Sequence, residues 1–380
     1  MRKWAYVYQN SLNEPSANLK QTLLMTAALS SVVELTWFTT PFKKSRFQKI
    51  LSTFSIGQPS HQKSIGPELK TKTFLSELIT RYRWNANVLQ TINREGFEYV
   101  YTRDFGFLFY LWLAYRGAKK PAFYLIYEPH KVYHKTSGKV PRWIEAKALS
   151  CVDFFTPISS GIWEDLQSSF KFDPARAIIL PDGVRHSRDL PYQVCSEVCQ
   201  LLYTGSFKSW KGIHFVLEAL EQWNDRIHWH LNICGGSQEE IEILQKKVTL
   251  SGLKDKVTFK GFLDQEGIEK EYTDTQIALL PNTKDLISAR YTSPLKLFEY
   301  LGAGLPILAS DLPSLREILN EENACFFEAE SKTGFLEALD EQIRNESMRS
   351  SQSGKNKALA QQFTWEERAK KVANLVKTLS

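Results

Sequence analysis

The sequence predicts two α/β domains in tandem, each a parallel sheet covered by helices. Three observations predict it. Short β-branched or aromatic runs recur along the chain with helix-patterned stretches between them, as parallel βαβ units require. Those runs are continuously apolar rather than alternating, the mark of strands buried on both faces. And 380 residues exceed what one core organises, since single cores stop growing near ~250–300 residues.

The elements follow in order. A short strand, Lys3–Tyr8, leads through the polar loop QNSLNEPSAN into a helical stretch from Leu19 to Leu29. VVELTWFTT reads as the next strand, and Phe97–Tyr101, Phe123–Tyr127, Asp153–Thr156 and Ala177–Leu180 as further ones. Arg185–Cys199 has no clear periodicity and reads as a linker. The second half repeats the scheme with strands CQLLYTG, HWHLNICGG, KVTFKG, QIALLPN, GLPILASD and ACFFEAE, and with helices at Ile213–Glu221 and Leu295–Gly302. Residues 348–361 and 364–379 read as closing helices, the last opened by Thr364 with Glu367 three residues on, a capping box. The expected domains are 1–190 and 198–362, with 363–380 a closing helix that crosses back to the first domain. Each domain is Rossmann-like. Two such domains facing each other leave a central cleft at the C-terminal strand ends, where open α/β sheets bind ligands.

Composition narrows the class. Hydrophobic residues at 43% and charged residues at 24% fit a soluble globular protein rather than a disordered or fibrous one. Five cysteines rule out a disulfide scaffold and point to a reducing compartment. The apolar run in MRKWAYVYQN stops at Gln9, too short for a signal-peptide core. The longest apolar run, Phe105–Tyr115, falls short of the ~20 residues a bilayer span needs. A cytoplasmic protein is expected.

Charge is divided unevenly. Residues 1–200 carry 26 Lys/Arg against 16 Asp/Glu, and residues 201–380 carry 22 against 26. The basic clusters are Lys43-Lys44-Arg46-Lys49, Lys119-Lys120 and Lys131 through Lys147. The first is interleaved with Phe42, Phe47, Ile50, Leu51 and Phe54, a pattern that fits either an amphipathic helix on an anionic membrane or a solvated charged face. No nucleic-acid-binding motif accompanies the charge, so no nucleic-acid partner is expected.

Two segments carry chemistry. In YTGSFKSWKG, a strand ends at Gly205 and Lys211-Gly212 opens a helix. Glycine lets a ligand approach the backbone, and lysine adds a cation to the positive end of the helix dipole, which suits a diphosphate. In TSPLKLFEYLGAGLPILASD, Ser293 is the expected N-cap and Pro294 the first helical residue, so the amides of Leu295, Lys296 and Leu297 are free to meet an anion. Glu299, one turn in among apolar neighbours, has the two acceptor oxygens that a ribose diol uses. His130 and His134 stand four apart beside Glu128, but Pro129 interrupts the helix that zinc ligation at that spacing needs, and Cys195 and Cys199 lack zinc-knuckle partners. Neither a metal site nor a cofactor is expected.

Gly205, Lys211-Gly212, Gly235-Gly236 after a strand, VTFKGFL and SPLKLFEYLGAGLPILASD fall in one order and spacing. Through them the chain resembles retaining nucleotide-sugar glycosyltransferases of the glycosyltransferase-B fold, the group 1 or glycogen-synthase-like family. The likeness is densest over residues 200–320, and VYTRDFGF, YLIYEPH, DFFTPISSGIWEDL and IILPDGV look like acceptor-domain stretches of bacterial members. Residues 40–95 match none of the family's stretches.

The resemblance implies roles. Lys211 corresponds to the family lysine on the donor diphosphate, and Glu299 to the glutamate that holds the ribose. Leu295 and Lys296 correspond to backbone positions at the diphosphate, with Gly205, Ser206, Gly235, Ser293 and Pro294 around it. Phe262 lies in the loop that would meet the base. His130 corresponds to a histidine beside the donor sugar, and Glu128, its neighbour, is a candidate on the acceptor side. Ser16 and Asn18 lie in the first-strand loop on the acceptor side. The chain departs from the pattern twice: Ser206 stands where the family has arginine, and Tyr291 where it has the first of two glutamates. The implied activity is transfer of a sugar, with retained anomeric configuration, from a nucleoside-diphosphate donor to a glycan or lipid-linked acceptor in surface-polysaccharide assembly, at the inner face of the membrane. The two departures keep open a nucleotide-sugar-binding accessory subunit without catalysis, and the fold keeps open a sugar-nucleotide epimerase.

Overall fold

The computed structural model describes all residues except 1, 60, 67–72, 117–120, 137, 186–191, 193–196, 224–227 and 380. Most of the expected linker, the pair Lys119-Lys120, and Cys195 lie outside the described residues. The chain divides into two compact units, Met1–Pro181 with Trp365–Ser380, and Asp182–Thr364.

In the first unit a six-stranded parallel sheet is built from β1 (Lys3–Tyr8), β2 (Glu34–Thr39), β3 (Gln62–Ser64), β4 (Tyr99–Thr102), β5 (Tyr124–Tyr127) and β6 (Phe154–Phe155), in the order 3-2-1-4-5-6. The central strand β1 reads KWAYVY, buried from its second residue onward, which explains its unbroken apolar character. Sequence patterning misses β3 because its three residues, Gln-Lys-Ser, are polar and it lies at the sheet edge. Ala177–Leu180 is not a strand; only Ala177 bridges, to Phe155.

The second unit repeats the topology. Strands β7 (Cys199–Thr204), β8 (Trp229–Cys234), β9 (Val257–Gly261), β10 (Ile277–Leu280), β11 (Ile307–Asp311) and β12 (Ala324–Glu328) are parallel, in the order 12-11-10-7-8-9. Numbered within the unit, that is again 3-2-1-4-5-6, the doubly wound order whose ligands bind where the strand sequence reverses, next to the first strand. The apolar faces of helices Ile213–Leu220 and Leu295–Ala303 pack on opposite sides of this sheet, in two separate core clusters.

The closing helix, Trp365–Leu379, belongs to the first unit and packs on the helix Ala17–Ser30. A buried ionic hub fastens it. Glu128, just past β5, is 1 % exposed. Its oxygens meet Arg368 Nη2 of the closing helix at 2.9 Å and Arg103 Nε at 2.8 Å. Gln21 donates to it from the first helix at 3.3 Å, and Tyr101 donates its hydroxyl from β4. Burial would raise this carboxyl, but Arg368 and then Arg103 outweigh it and hold its pKa below the ordinary value.

The cationic helix Lys44–Thr53 corrects an expectation. Phe47, Ile50 and Leu51, the residues assigned to a membrane-facing side, are buried in the unit, with Phe47 against Trp37 of β2 at 6.0 Å between rings. Its lysines and Arg46 face solvent together with Ser45, Gln48 and Ser52. Among the described residues no helix is long and apolar enough to cross a membrane.

Substituting Glu128→Gln should cost ~3–5 kcal/mol, because it strips a buried charge from two arginines. Urea denaturation followed by circular dichroism reads the loss. Since the folded pKa is depressed, the carboxylate contributes stability above its unfolded value and loses it as the pH falls through the folded one. The acid limb of the wild-type stability curve should therefore be flatter in the variant.

Candidate functional site

The second unit gathers its polar groups at the C-terminal ends of β7, β8, β10 and β11. Three close backbone approaches shape the place. Gly235 follows β8 at φ 121°, and a Cβ there would sit 2.1 Å from the Gly205 carbonyl oxygen. Gly236 at φ 78° faces the Phe207 ring, and Gly212 at φ 78° faces the Pro281 carbonyl, where a Cβ would sit 1.6 Å away. Only glycine fits these positions. Gly205, by contrast, has open space in front of it, with nothing nearer than 3.9 Å. The Gly205 and Gly235 amides continue the ladder, donating to the Cys234 and Gly261 carbonyls at 2.9 and 2.6 Å.

Lys211 ends the turn Ser209–Lys211 and lays its ammonium over the Trp210 ring, 4.2 Å from the centroid. Burial, and then Lys208, push its pKa down to about 8, with Asp182 pulling the other way. Lys296 lies in the first turn of the helix Leu295–Ala303. It is 7 % exposed, its Nζ sits 4.2 Å from the Tyr203 ring centroid, and that Nζ has no hydrogen-bond partner among the described residues. Burial and the neighbouring Lys211 push its pKa well below the ordinary lysine value. Two lysines thus oppose each other's protonation in a desolvated place, a penalty that a bound anion would relieve.

The helix start differs from the sequence expectation. Pro294 is the N-cap, in extended conformation and with no side-chain cap. The Ser293 hydroxyl instead accepts the Asp182 amide at 2.7 Å. The Leu297 amide is not free, since it donates to the Pro294 carbonyl at 2.9 Å. The uncapped dipole end at Leu295 and Lys296 remains, beside the Lys296 side chain. Tyr300 fixes this helix to the end of β7, its oxygen accepting the Thr204 amide at 3.0 Å. Half-buried Glu299 accepts the Tyr272 hydroxyl at 3.1 Å. Phe262, just past β9, is 59 % exposed, and Ser206 is exposed next to Gly205.

Sequence reasoning missed three groups here. Tyr203 carries Lys296 on its ring and donates its hydroxyl to the Ser206 carbonyl at 2.8 Å, joining the glycine loop to the lysine helix. Asn282, past β10, and Ser310, in β11, are wholly buried with side-chain polar atoms lacking partners among the described residues. Tyr203 and Ser310 stand inside the two segments that carry chemistry without a role having been read for either, and Asn282 lies outside both.

The first unit has its own polar cluster, at the ends of β1, β4 and β5. Asp104, half-buried, accepts the Gln9 amide at 2.6 Å and the Asn10 side-chain amide at 3.2 Å, and burial raises its carboxyl to about 6. Arg103 donates to Asn18 Oδ1 at 3.0 Å while holding Glu128. Ser16 caps the helix Ala17–Ser30 by accepting the Leu19 amide at 3.1 Å. Glu128, expected beside the acceptor, is enclosed by the hub described above, so it positions Arg103 rather than meeting solvent. His130 has a buried Nδ1 without a partner among the described residues, and burial, then Arg103 and Lys131, drive its pKa down to about 3. His134 is engaged by Glu145, its Nδ1 2.7 Å from a carboxylate that also accepts the Tyr133 and His134 amides. Arg103 and Asp104 stand in VYTRDFGF, which the resemblance singled out without giving either a role.

Two parallel sheets of this order, with an anion-seeking site at the second one's switch point, define the class: the glycosyltransferase-B fold. Residues 199–345 match the family described as Glycosyl transferases group 1. An uncharacterized glycosyltransferase of Methanocaldococcus jannaschii is 21% identical over 179 residues, 47% of this chain and 44% of that protein, so the match spans under half of the relative's length. Among solved structures, a sucrose-phosphate synthase of Thermosynechococcus elongatus superposes with a TM-score of 0.77 at 16% identity, covering 100% of this chain and 99% of the other. The lipopolysaccharide outer core galactosyltransferase WaaB gives 0.74 at 15%, with both chains fully covered. Anabaena HepE, solved with UDP and glucose, gives 0.73 at 14%, again with full coverage. At these identities the structures establish the shared fold.

Affinity for a nucleoside diphosphate should fall as the pH rises through about 8, where free Lys211 loses its proton. Calorimetric titration of UDP across pH 6.5 to 9.5 reads this, and Lys211→Arg should lessen the fall while binding persists, because arginine stays charged.

Proposed function

We propose that this protein is a glycosyltransferase that moves a sugar from a nucleoside-diphosphate donor to a hydroxyl of a glycan or lipid-linked acceptor, with retained anomeric configuration, in surface-polysaccharide assembly. The observation that carries the reading is the buried Lys296 side chain, without a hydrogen-bond partner among the described residues, next to Lys211 at an uncapped helix start. A diphosphate is the ligand whose two negative groups answer two such cations and a helix dipole together. The neighbour crystallised with UDP binds a ligand of this chemistry on the same fold.

The chemistry follows from the charges. The acceptor oxygen forms a bond to the sugar's anomeric carbon as the bond from that carbon to the diphosphate oxygen breaks. The acceptor proton passes to the departing diphosphate, on the same face. Negative charge grows on that diphosphate, where Lys211, Lys296 and the Leu295 and Lys296 amides are already oriented. Glu299 holds the ribose.

A second reading has its own observation. Tyr291, in place of a family glutamate, is 1 % exposed. A side chain so enclosed contributes no carboxylate to a sugar, which favours a donor-binding subunit without turnover.

One experiment decides between the readings. Nucleoside-diphosphate sugars are screened for binding and then for release of nucleoside diphosphate with candidate acceptors. The transferase reading expects acceptor-dependent release, and Lys211→Ala or Lys296→Ala should each lower kcat by about 10²–10³-fold. Binding without release supports the accessory subunit, and interconversion of the donor sugar supports an epimerase. Turnover at the wild-type rate in Lys211→Ala would sink the proposed mechanism.

A further inference from the structure

The apolar pattern of the helix Phe74–Glu95 runs along its length, and the unit covers only its C-terminal half. Its C-terminal half buries Trp84, Val88, Leu89 and Ile92. Its N-terminal half exposes Leu75, Leu78, Ile79 and Tyr82, at 67, 48, 46 and 55 %. These stand at i, i+3, i+4 and i+7, one continuous stripe on a helix. At 22 residues the helix is ~33 Å long. Scattered exposed apolar residues need no explanation, but a stripe of four does.

Charge identifies what covers it. Exposed Arg83 flanks the stripe on one side, and Arg81 on the other, held by Glu77 at 2.9 Å. The helix contacts its neighbour Phe105–Ala114, with Tyr82 edge-on to Tyr110 at 5.1 Å, and that helix packs in turn on Arg142–Leu149. These neighbours add exposed Leu113 and Trp143, and the exposed cations Arg116, Arg142 and Lys147. The carboxylate among them, Glu145, is buried and occupied by His134. A second copy of the chain would set arginine against arginine across a two-fold contact.

We propose that the stripe Leu75, Leu78, Ile79 and Tyr82 on the helix Phe74–Glu95 docks this protein on an anionic lipid bilayer, the apolar side chains entering the headgroup boundary and Arg83 meeting lipid phosphates. The surface differs from the helix Lys44–Thr53, whose apolar side is buried. It stands independently of the donor-site reading, because donor binding involves the other unit.

Flotation of the full chain tests it, with vesicles of phosphatidylcholine alone and of phosphatidylcholine with phosphatidylglycerol. Binding to the mixed vesicles is expected, weakening as salt rises. Leu78→Ser and Ile79→Ser should each reduce partitioning about tenfold or more. Both residues are exposed, so the thermal midpoint and UDP affinity should hold. Three outcomes overturn the proposal. The mixed vesicles are not bound; or these variants float as wild type while Lys44→Gln with Lys49→Gln abolishes binding; or the variants leave vesicle binding intact and instead dissolve a dimer seen by sedimentation.

Discussion

Keeping two lysines charged where burial opposes it is the constraint around which the second unit is arranged. Desolvating an ammonium costs several kcal/mol even after relaxation, and here Lys211 and Lys296 also repel each other. The unit answers with π faces in place of a fixed carboxylate: Trp210 under Lys211 and Tyr203 under Lys296. A ring lowers the cost of burial without neutralising the charge, so the positive potential stays available to a ligand. A paired carboxylate would have made the site self-satisfied. Asp182 acts on Lys211 only as a counterweight that leaves its pKa depressed.

The surrounding backbone serves that arrangement. Gly212 closes against Pro281 so tightly that any side chain would force the Lys211 turn away from β10. Tyr300 pins the lysine-bearing helix to the exit of β7, and Tyr203 pins the exit loop of β7 beneath that lysine. The order 3-2-1-4-5-6 supplies the place, because the loops after β7 and β10 leave the sheet where the strand order reverses. Fold and electrostatics therefore converge on one spot for separate reasons, one topological and one a matter of uncompensated charge.

Much of this was legible in the residues, and the rest has identifiable causes. Strands buried on both faces announce themselves, so β1, β5, β7, β8 and β10 could be read directly. The edge strand β3 carries no apolar signal and could not. Lys211 and Glu299 stood out through their spacing to glycines and helix starts. Tyr203 did not, because its function depends on a contact with a residue ninety-three positions away in the sequence. Ser293 looked like a cap, and a local rule had no means of weighing the Asp182 amide that claims it. Glu128 looked like a site residue for being polar beside a histidine. Burial between Arg103 and Arg368 makes it a structural fastener, and Arg368 lies 240 positions away.

The uneven charge of the chain takes on a different meaning once burial is known. The cluster at Lys43–Lys49 read as amphipathic because Phe47, Ile50 and Leu51 fall on one side of it, and that side packs against β2. Periodicity identifies an apolar face but not what covers it, since a sheet and a bilayer demand the same pattern. The distinction comes from the longer helix Phe74–Glu95, in a stretch that matched no family segment. There the pattern outruns the unit that packs against it, and its first two turns are left apolar and flanked by arginines. Excess positive charge in the first half is thus two things: a solvated rim on one helix, and on another the border of an apolar surface that the unit itself does not cover.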